Sequence, residues 1–273
     1  MKDRVSADVG QSRGKSGGGA CALEARHLTL SWDAGAHIIV RDISLRLGVG
    51  EVVCLVGRSG CGKTTIMHAL SGLSRPLKGN VFLHGEDVTG IPGRVSYMLQ
   101  KDLLLPSKRI IDNVCLPLVL GGMSVPDARA KAEPLFERFG LAGTQRRWPD
   151  ELSGGMRQRA AFLRTYLMGN DVVLLDEPFS ALDALTRTDL RGWYCSMARE
   201  LDIATLAITH DVDEAVTMAG RIYVLGGDPS HGEPSRVVAQ VKVGRPQATA
   251  DAGEFALTPE FLAAKCEVLA CLG

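Results

Sequence analysis

The chain has 273 residues, 45% of them hydrophobic and 23% charged, with Lys+Arg and Asp+Glu both at 31. That length suffices for one large domain or two small ones with a substantial core. The charge balance gives no general attraction to nucleic acid or anionic lipid, and no local basic patch supplies one. No stretch approaches the ~18–20 consecutive apolar residues of a membrane span, so any service to a membrane is expected to run through a partner.

In chain order, residues 1–20 lack the apolar centre of a secretory signal and, rich in Gly and Ser, read as a disordered leader. Residues 22–50 hold short alternating segments, such as Ile38-Ile39-Val40 and Ile43-Ser44-Leu45-Arg46-Leu47, which suit an antiparallel β portion. Val52-Val53-Cys54-Leu55-Val56, Val172-Val173-Leu174-Leu175 and Thr205-Leu206-Ala207-Ile208 are unbroken apolar runs. Such runs predict strands buried on both faces of a parallel sheet covered by helices. Helical patterns lie between them, so the fold class is α/β.

Residues from about 101 to 168 read as mostly helical, with Met156, Ala160, Leu163 and Leu167 on one face; they are expected to form an inserted helical subdomain. Residues 227–255 are Gly- and Pro-rich and poorly periodic. Thr258-Pro259 then offers an N-cap and first-turn proline for a short final helix. The cysteines (Cys21, Cys54, Cys61, Cys115, Cys195, Cys266 and Cys271) form no C-x-x-C pair and fit reduced thiols packed as small hydrophobes.

Gly57-Arg58-Ser59-Gly60-Cys61-Gly62-Lys63-Thr64 matches G-x-x-x-x-G-K-[ST] directly after a predicted strand, and Thr65 follows it. The glycines let successive backbone N–H groups turn inwards towards phosphate oxygens. The helix expected over about Lys63 to Leu70 adds the partial positive charge of its N-terminus. Lys63 can reach the β- and γ-phosphates, and the Thr64 hydroxyl can ligate magnesium. Asp176-Glu177 ends the second apolar run, at the same sheet edge as this loop. Asp176 is the expected magnesium partner and Glu177 the general base for water.

Leu152-Ser153-Gly154-Gly155-Met156-Arg157-Gln158-Arg159 resembles the LSGGQ signature of ABC (ATP-binding cassette) ATPases. Ser153 is a good N-cap, and Gly154 and Gly155 expose amides at a helix start that can bind an anion. The resemblance covers roughly residues 22–225 and extends to further positions. Gln100 looks like the Q-loop glutamine that senses magnesium and the attacking water. Ser180-Ala181-Leu182-Asp183 is similar to the D-loop that crosses the dimer interface. His210 looks like the switch histidine at the γ-phosphate, and Trp32 occupies the place of the aromatic residue that stacks on adenine.

What the resemblance implies is a phosphate-loop NTPase core with a mostly parallel sheet, an antiparallel β portion and the inserted helical subdomain. The expected division is a leader to residue 20, an ATPase domain over 21–230, and a tail over 231–273. It also implies two chains pairing head to tail, each ATP and its magnesium lying between one phosphate loop and the other chain's signature. A groove around Gln100 to Leu120 would receive a permease helix. The Thr209–Ala215 run, the LSGGM form and the Thr258–Leu262 ending resemble the nitrate/sulfonate/taurine import group. That points to an importer at the cytoplasmic face of the plasma membrane, with integral permease subunits, an extracytoplasmic solute-binding protein and no nucleic acid. Two departures stand out: Met156 for the signature's glutamine, and Ser107-Lys108-Arg109 where related importers often carry Trp beside the proline. An ATPase serving an exporter or lipid extraction, and a soluble ABC protein without a permease, are the alternatives.

Overall fold

The computed structural model describes residues 21–33, 35–244 and 252–272, so the leader reading for residues 1–20 lies outside the described residues. Two long strands, β1 (Cys21–Ser31) and β2 (Ile38–Gly48), pair antiparallel. β3 (Val52–Gly57) leads into α1 (Lys63–Leu70), followed by β4 (Lys78–Leu83), β5 (Glu86–Asp87) and β6 (Ser96–Met98). The helical insertion comprises α2 (Ile110–Val114), α3 (Leu116–Leu120), α4 (Val125–Ala132), α5 (Leu135–Arg138) and α6 (Gly154–Tyr166). The chain returns as β7 (Val172–Asp176), α7 (Ala184–Glu200), β8 (Ala204–Thr209), α8 (Val212–Met218), β9 (Arg221–Asp228) and β10 (Glu233–Lys242). It finishes with α9 (Ala252–Phe255) and α10 (Pro259–Leu272).

Among the described residues the strands make one 10-stranded sheet in the order β5-β4-β1-β2-β10-β9-β3-β8-β7-β6. β3 runs parallel to β8 and β9, and β7 parallel to β8 and β6, which makes the core parallel. β1, β2, β4 and β5 form the antiparallel portion.

Strand alternation explains why the core runs are apolar throughout. In β3, Cys54 and Val56 join one core while Val53 and Leu55 join the other. β7 divides in the same way, Val173 and Leu175 against Val172 and Leu174. One core holds α7, α8 and the helical insertion; the other encloses α1 between the parallel strands and the antiparallel portion. Both faces are therefore covered, which is why apolar side chains fill β3 and β7 on each side. The face of α6 expected from sequence is present, with Ala160, Leu163 and Leu167 buried and Met156 half-buried.

Two differences from the sequence reading have clear causes. Residues 101–109 are not helical; the buried Asn113 amide holds this loop, accepting from Leu105 N at 2.6 Å and donating to Leu105 O at 3.1 Å and Lys108 O at 3.0 Å. Residues 233–242, read as part of an irregular stretch, are β10, paired antiparallel with β9 and joined to β2 through Ser235 opposite Val40. The expected domain limit at residue 230 thus falls in the β9–β10 turn, and the strand beyond it belongs to the same sheet. Partner strands impose that conformation where local periodicity is weak. The final helix starts as expected, with the Phe261 amide donating to the Thr258 hydroxyl at 3.3 Å, and runs 14 residues.

Phe136 of α5 is fully buried in the same core as Val173 and Leu175 of the sheet. Phe136→Ala should destabilise the chain by about 3–5 kcal/mol. Calorimetry should show one lowered transition, not a separate early melting of the insertion.

Candidate functional site

The phosphate loop sits between the carboxyl end of β3 and α1, at the centre of the sheet. Gly62 has φ +92, and a Cβ there would lie 2.8 Å from Ile39 Cγ2, so the turn needs glycine on both counts. Burial pushes the Cys61 thiol up. Ile66 is the first amide of α1 to bond back into the chain, to Gly62 O at 3.0 Å; the Thr64 and Thr65 amides have no backbone acceptor among the described residues. Lys63 is only 6% exposed, and its Nζ donates to Gly57 O at 2.9 Å and Arg58 O at 3.0 Å. It has no carboxylate partner among the described residues. A buried cation held by neutral carbonyls, beside free amides at a helix start, fits a phosphate chain. Arg58, Ser59 and Gly60 form the exposed rim of the loop. Trp32, 71% exposed, hangs over it with its indole N–H donating to Thr65 Oγ1 at 3.2 Å.

Asp176 ends β7, two strands away from β3, and Glu177 follows it. Burial pushes the Asp176 carboxyl up, and hydrogen bonds from the Tyr97 and Thr64 hydroxyls favour its charged form. Thr64 and Asp176 are thus adjacent, and a hydroxyl beside one carboxylate suits a cation that keeps most of its water, as magnesium does. Glu177 has φ +45, an uncommon conformation for a non-glycine residue, and its amide is pinned to Ile208 O at 3.0 Å. This turn brings Glu177 Oε2 within 3.1 Å of His210 Nδ1 at the end of β8. The Gln100 amide donates to Ser180 Oγ at 3.2 Å, and Ser180 Oγ in turn to Glu177 O at 2.9 Å. Gln100 is therefore connected to the Glu177 backbone through Ser180.

Ser153 caps α6 through the Met156 amide at 3.3 Å. A Cβ on Gly155 would meet Thr186 Cγ2 at 2.9 Å, and one on Gly154 would meet Leu182 Cδ2 at 3.1 Å. The signature glycines therefore pack on the start of α7, which Asp183 caps through the Thr186 amide at 3.0 Å. That bond and the Thr186 hydroxyl hold the Asp183 carboxyl below its usual range. Among the described residues, no hydrogen bond joins Ser153, Gly154 or Gly155 to residues 57–65 of the same chain.

Two contributors were not singled out from the sequence. Tyr97 donates to Asp176 Oδ2 at 3.0 Å, and buried Gln158 of α6 donates to Pro178 O at 2.8 Å, tying the signature helix to the turn after the acids. Strand alternation leaves Tyr97 off the Ser96/Met98 side, but only the packing of β6 on β7 shows what it reaches. A groove of about 410 Å³ between sheet and insertion is lined by Leu103, Leu116 and Leu120, inside the 100–120 span expected from sequence, and also by Tyr97 and Met168, which lie outside it.

A phosphate loop after β3 and acids at the end of β7, two strands away in the same parallel core, define a phosphate-loop ATPase. The ABC transporter family model matches residues 40–180. The formylaminopyrimidine import ATP-binding protein of Halalkalibacterium halodurans is 38% identical over 77% of this chain and 82% of its own length. The taurine import ATP-binding protein of Sinorhizobium fredii is 38% identical over 84% of this chain and 85% of its own. The dimeric structure of MJ0796, a bacterial ABC transporter cassette, shares the fold, with TM-score 0.68 and 23% identity over 82% of this chain and 100% of that one. This chain belongs to the ABC transporter ATP-binding family, whose subunits hydrolyse ATP to drive transport. Among the described residues no helix is long and apolar enough to cross a membrane.

One buried acid beside the site carries a pH signature. Glu214 of α8 is 3% exposed, its Oε1 lacks a hydrogen-bond partner among the described residues, and its carboxyl is pushed up to about 7. Burial is the main cause, with Asp211 adding to it and Arg191, the Thr209 hydroxyl and Arg187 opposing it. The folded chain thus holds a proton that the unfolded chain releases near 4.5. The resulting stability is complete below that value and is lost as pH rises to about 7. Glu214→Gln should remove this dependence and exceed the parent in stability by up to about 3 kcal/mol at pH 8. Urea unfolding at pH 5 and pH 8 should show the gain only at the higher pH.

Proposed function

We propose that the chain is the ATPase subunit of an ABC importer, working as a dimer that encloses two ATP molecules. The observation that carries the dimer is the separation of two half-sites in one chain: a buried, uncompensated Lys63 at the phosphate loop, and signature amides held against α7. Head-to-tail pairing brings the Ser153–Gly155 helix start of one chain to the γ-phosphate on the other.

In this reading Trp32 stacks on adenine, and the amides of residues 58–65 with Lys63 take the β- and γ-phosphates. Thr64, Asp176 and Gln100 would hold magnesium, which when bound draws negative charge off the phosphates. Glu177 accepts the proton of the attacking water, and His210, 3.1 Å from its Oε2, holds that carboxylate in place. Asp183 sits at the facing surface of the two chains. ATP binding supplies the missing charge for Lys63 and the missing anion for the partner's α6, so closure follows binding and opening follows hydrolysis.

The import direction rests on relatives named for formylaminopyrimidine, taurine and nitrate import, the last 35% identical over 72% of this chain. The solute is accordingly a small polar molecule of the nitrate, sulfonate or taurine kind. Permease subunits dock a helix in the groove between sheet and insertion, where Leu120 is 79% and Leu103 51% exposed. A solute-binding protein delivers from outside, and the chain works peripherally at the cytoplasmic face of the plasma membrane.

Glu177→Gln should reduce ATP turnover at least about a hundredfold while ATP still binds, and should accumulate an ATP-bound dimer on size-exclusion chromatography. Near-parental turnover would remove Glu177 from the role of base. Affinity capture from native membranes, read by mass spectrometry, should recover a multi-spanning permease with a solute-binding protein. A permease carrying a large extracytoplasmic domain and no binding protein would overturn the import reading.

A further inference from the structure

β6 is a three-residue strand at the outer edge of the sheet; Ser96 and Met98 are buried, and Tyr97 between them is half-buried. Such a place is satisfied by any flat apolar ring, and the Tyr97 ring already packs edge-on to His68 of α1, centroids 6.0 Å apart. The hydroxyl is the part that packing leaves unexplained. Its bond is to Asp176 Oδ2, at 3.0 Å.

Asp176 is 7% exposed, and its side-chain hydrogen bonds come from Tyr97 and Thr64. Thr64 lies in the first turn of α1, which has to engage phosphate, whereas Tyr97 is anchored in register with β7, Tyr97 opposite Leu174 and Met98 opposite Leu175. The phenol is therefore the fixed support for this carboxylate, of the kind that orients metal-binding groups from the second layer outward.

We propose that Tyr97 is a positioning residue for the divalent cation. By holding one Asp176 oxygen, it fixes the carboxylate plane so that the remaining lone pairs face Thr64 and the nucleotide. This rests on the reading of Thr64 and Asp176 as the cation site. Tyr97→Phe removes only the hydroxyl and keeps the ring, its His68 contact and its place in the groove wall.

The test is a double-mutant cycle of Tyr97→Phe and Asp176→Asn in the full-length Glu177→Gln chain. Manganese, bound in the presence of ATP, is the probe, read by electron paramagnetic resonance. Tyr97→Phe should raise the half-saturating manganese concentration about tenfold to a hundredfold, the usual cost of losing a hydrogen bond that orients a metal-binding carboxylate. ATP binding in EDTA should be unchanged, which also certifies the fold. In the Asp176→Asn background the same substitution should have no further effect. Parental manganese affinity in Tyr97→Phe, or an equal loss in both backgrounds, overturns the positioning role while leaving the cation site intact. Unchanged affinity in Asp176→Asn alone would instead sink the cation site, and this inference with it.

Discussion

A positive charge enclosed near the middle of a sheet is the constraint around which this molecule is arranged. Lys63 Nζ has two backbone carbonyls as partners, Gly57 O and Arg58 O, and it is almost out of solvent. Neutral acceptors solvate an ammonium group but do not offset its charge, so the site favours an anion strongly. The loop that makes this possible needs space on its other side. Gly62 approaches Ile39 and Val40 of β2 so closely that a Cβ would not fit, which presses the antiparallel portion against the parallel core at the loop. The nucleotide site and the junction of the two sheet portions are thus one piece of packing.

The segment from Asp176 to Asp183 is held with comparable firmness from several directions. Tyr97 reaches it from β6, Ile208 takes the Glu177 amide, Gln158 of α6 reaches the Pro178 carbonyl, and Gln100 reaches Ser180. The strained Glu177 backbone is sustained by this surrounding network. Because Gln158 shares α6 with the signature, and the signature glycines pack against Leu182 and Thr186, the turn after β7 and the signature are mechanically joined within one chain. The groove beside Leu103 and Leu116 has Tyr97 itself in its wall, together with Leu99 and Lys101, the chain neighbours of Gln100.

Much of this was legible in the sequence because it depends on short-range chemistry. Glycines at fixed offsets before Lys63 and Thr64, apolar runs with acids at their end, and a Ser-Gly-Gly helix start each state their conformation through a few adjacent residues. The β3, β7 and β8 runs announced burial on both faces, and the start of α1 at Lys63 followed from the loop that precedes it. The order of these motifs along the chain was enough to resemble the family that sequence comparison then showed.

What tertiary structure alone decided lies between segments far apart in the chain. β10 has weak local preference and becomes a strand because β9 and β2 offer unpaired backbone groups on either side of it. Tyr97 and Asp176 are 79 positions apart, and their contact exists only because β6 lies beside β7. Glu214 looks like an ordinary helical acid until α7 packs against α8 and buries it. Composition and spacing specify which conformations a segment prefers; which groups are desolvated, and by what, depends on how the finished layers pack.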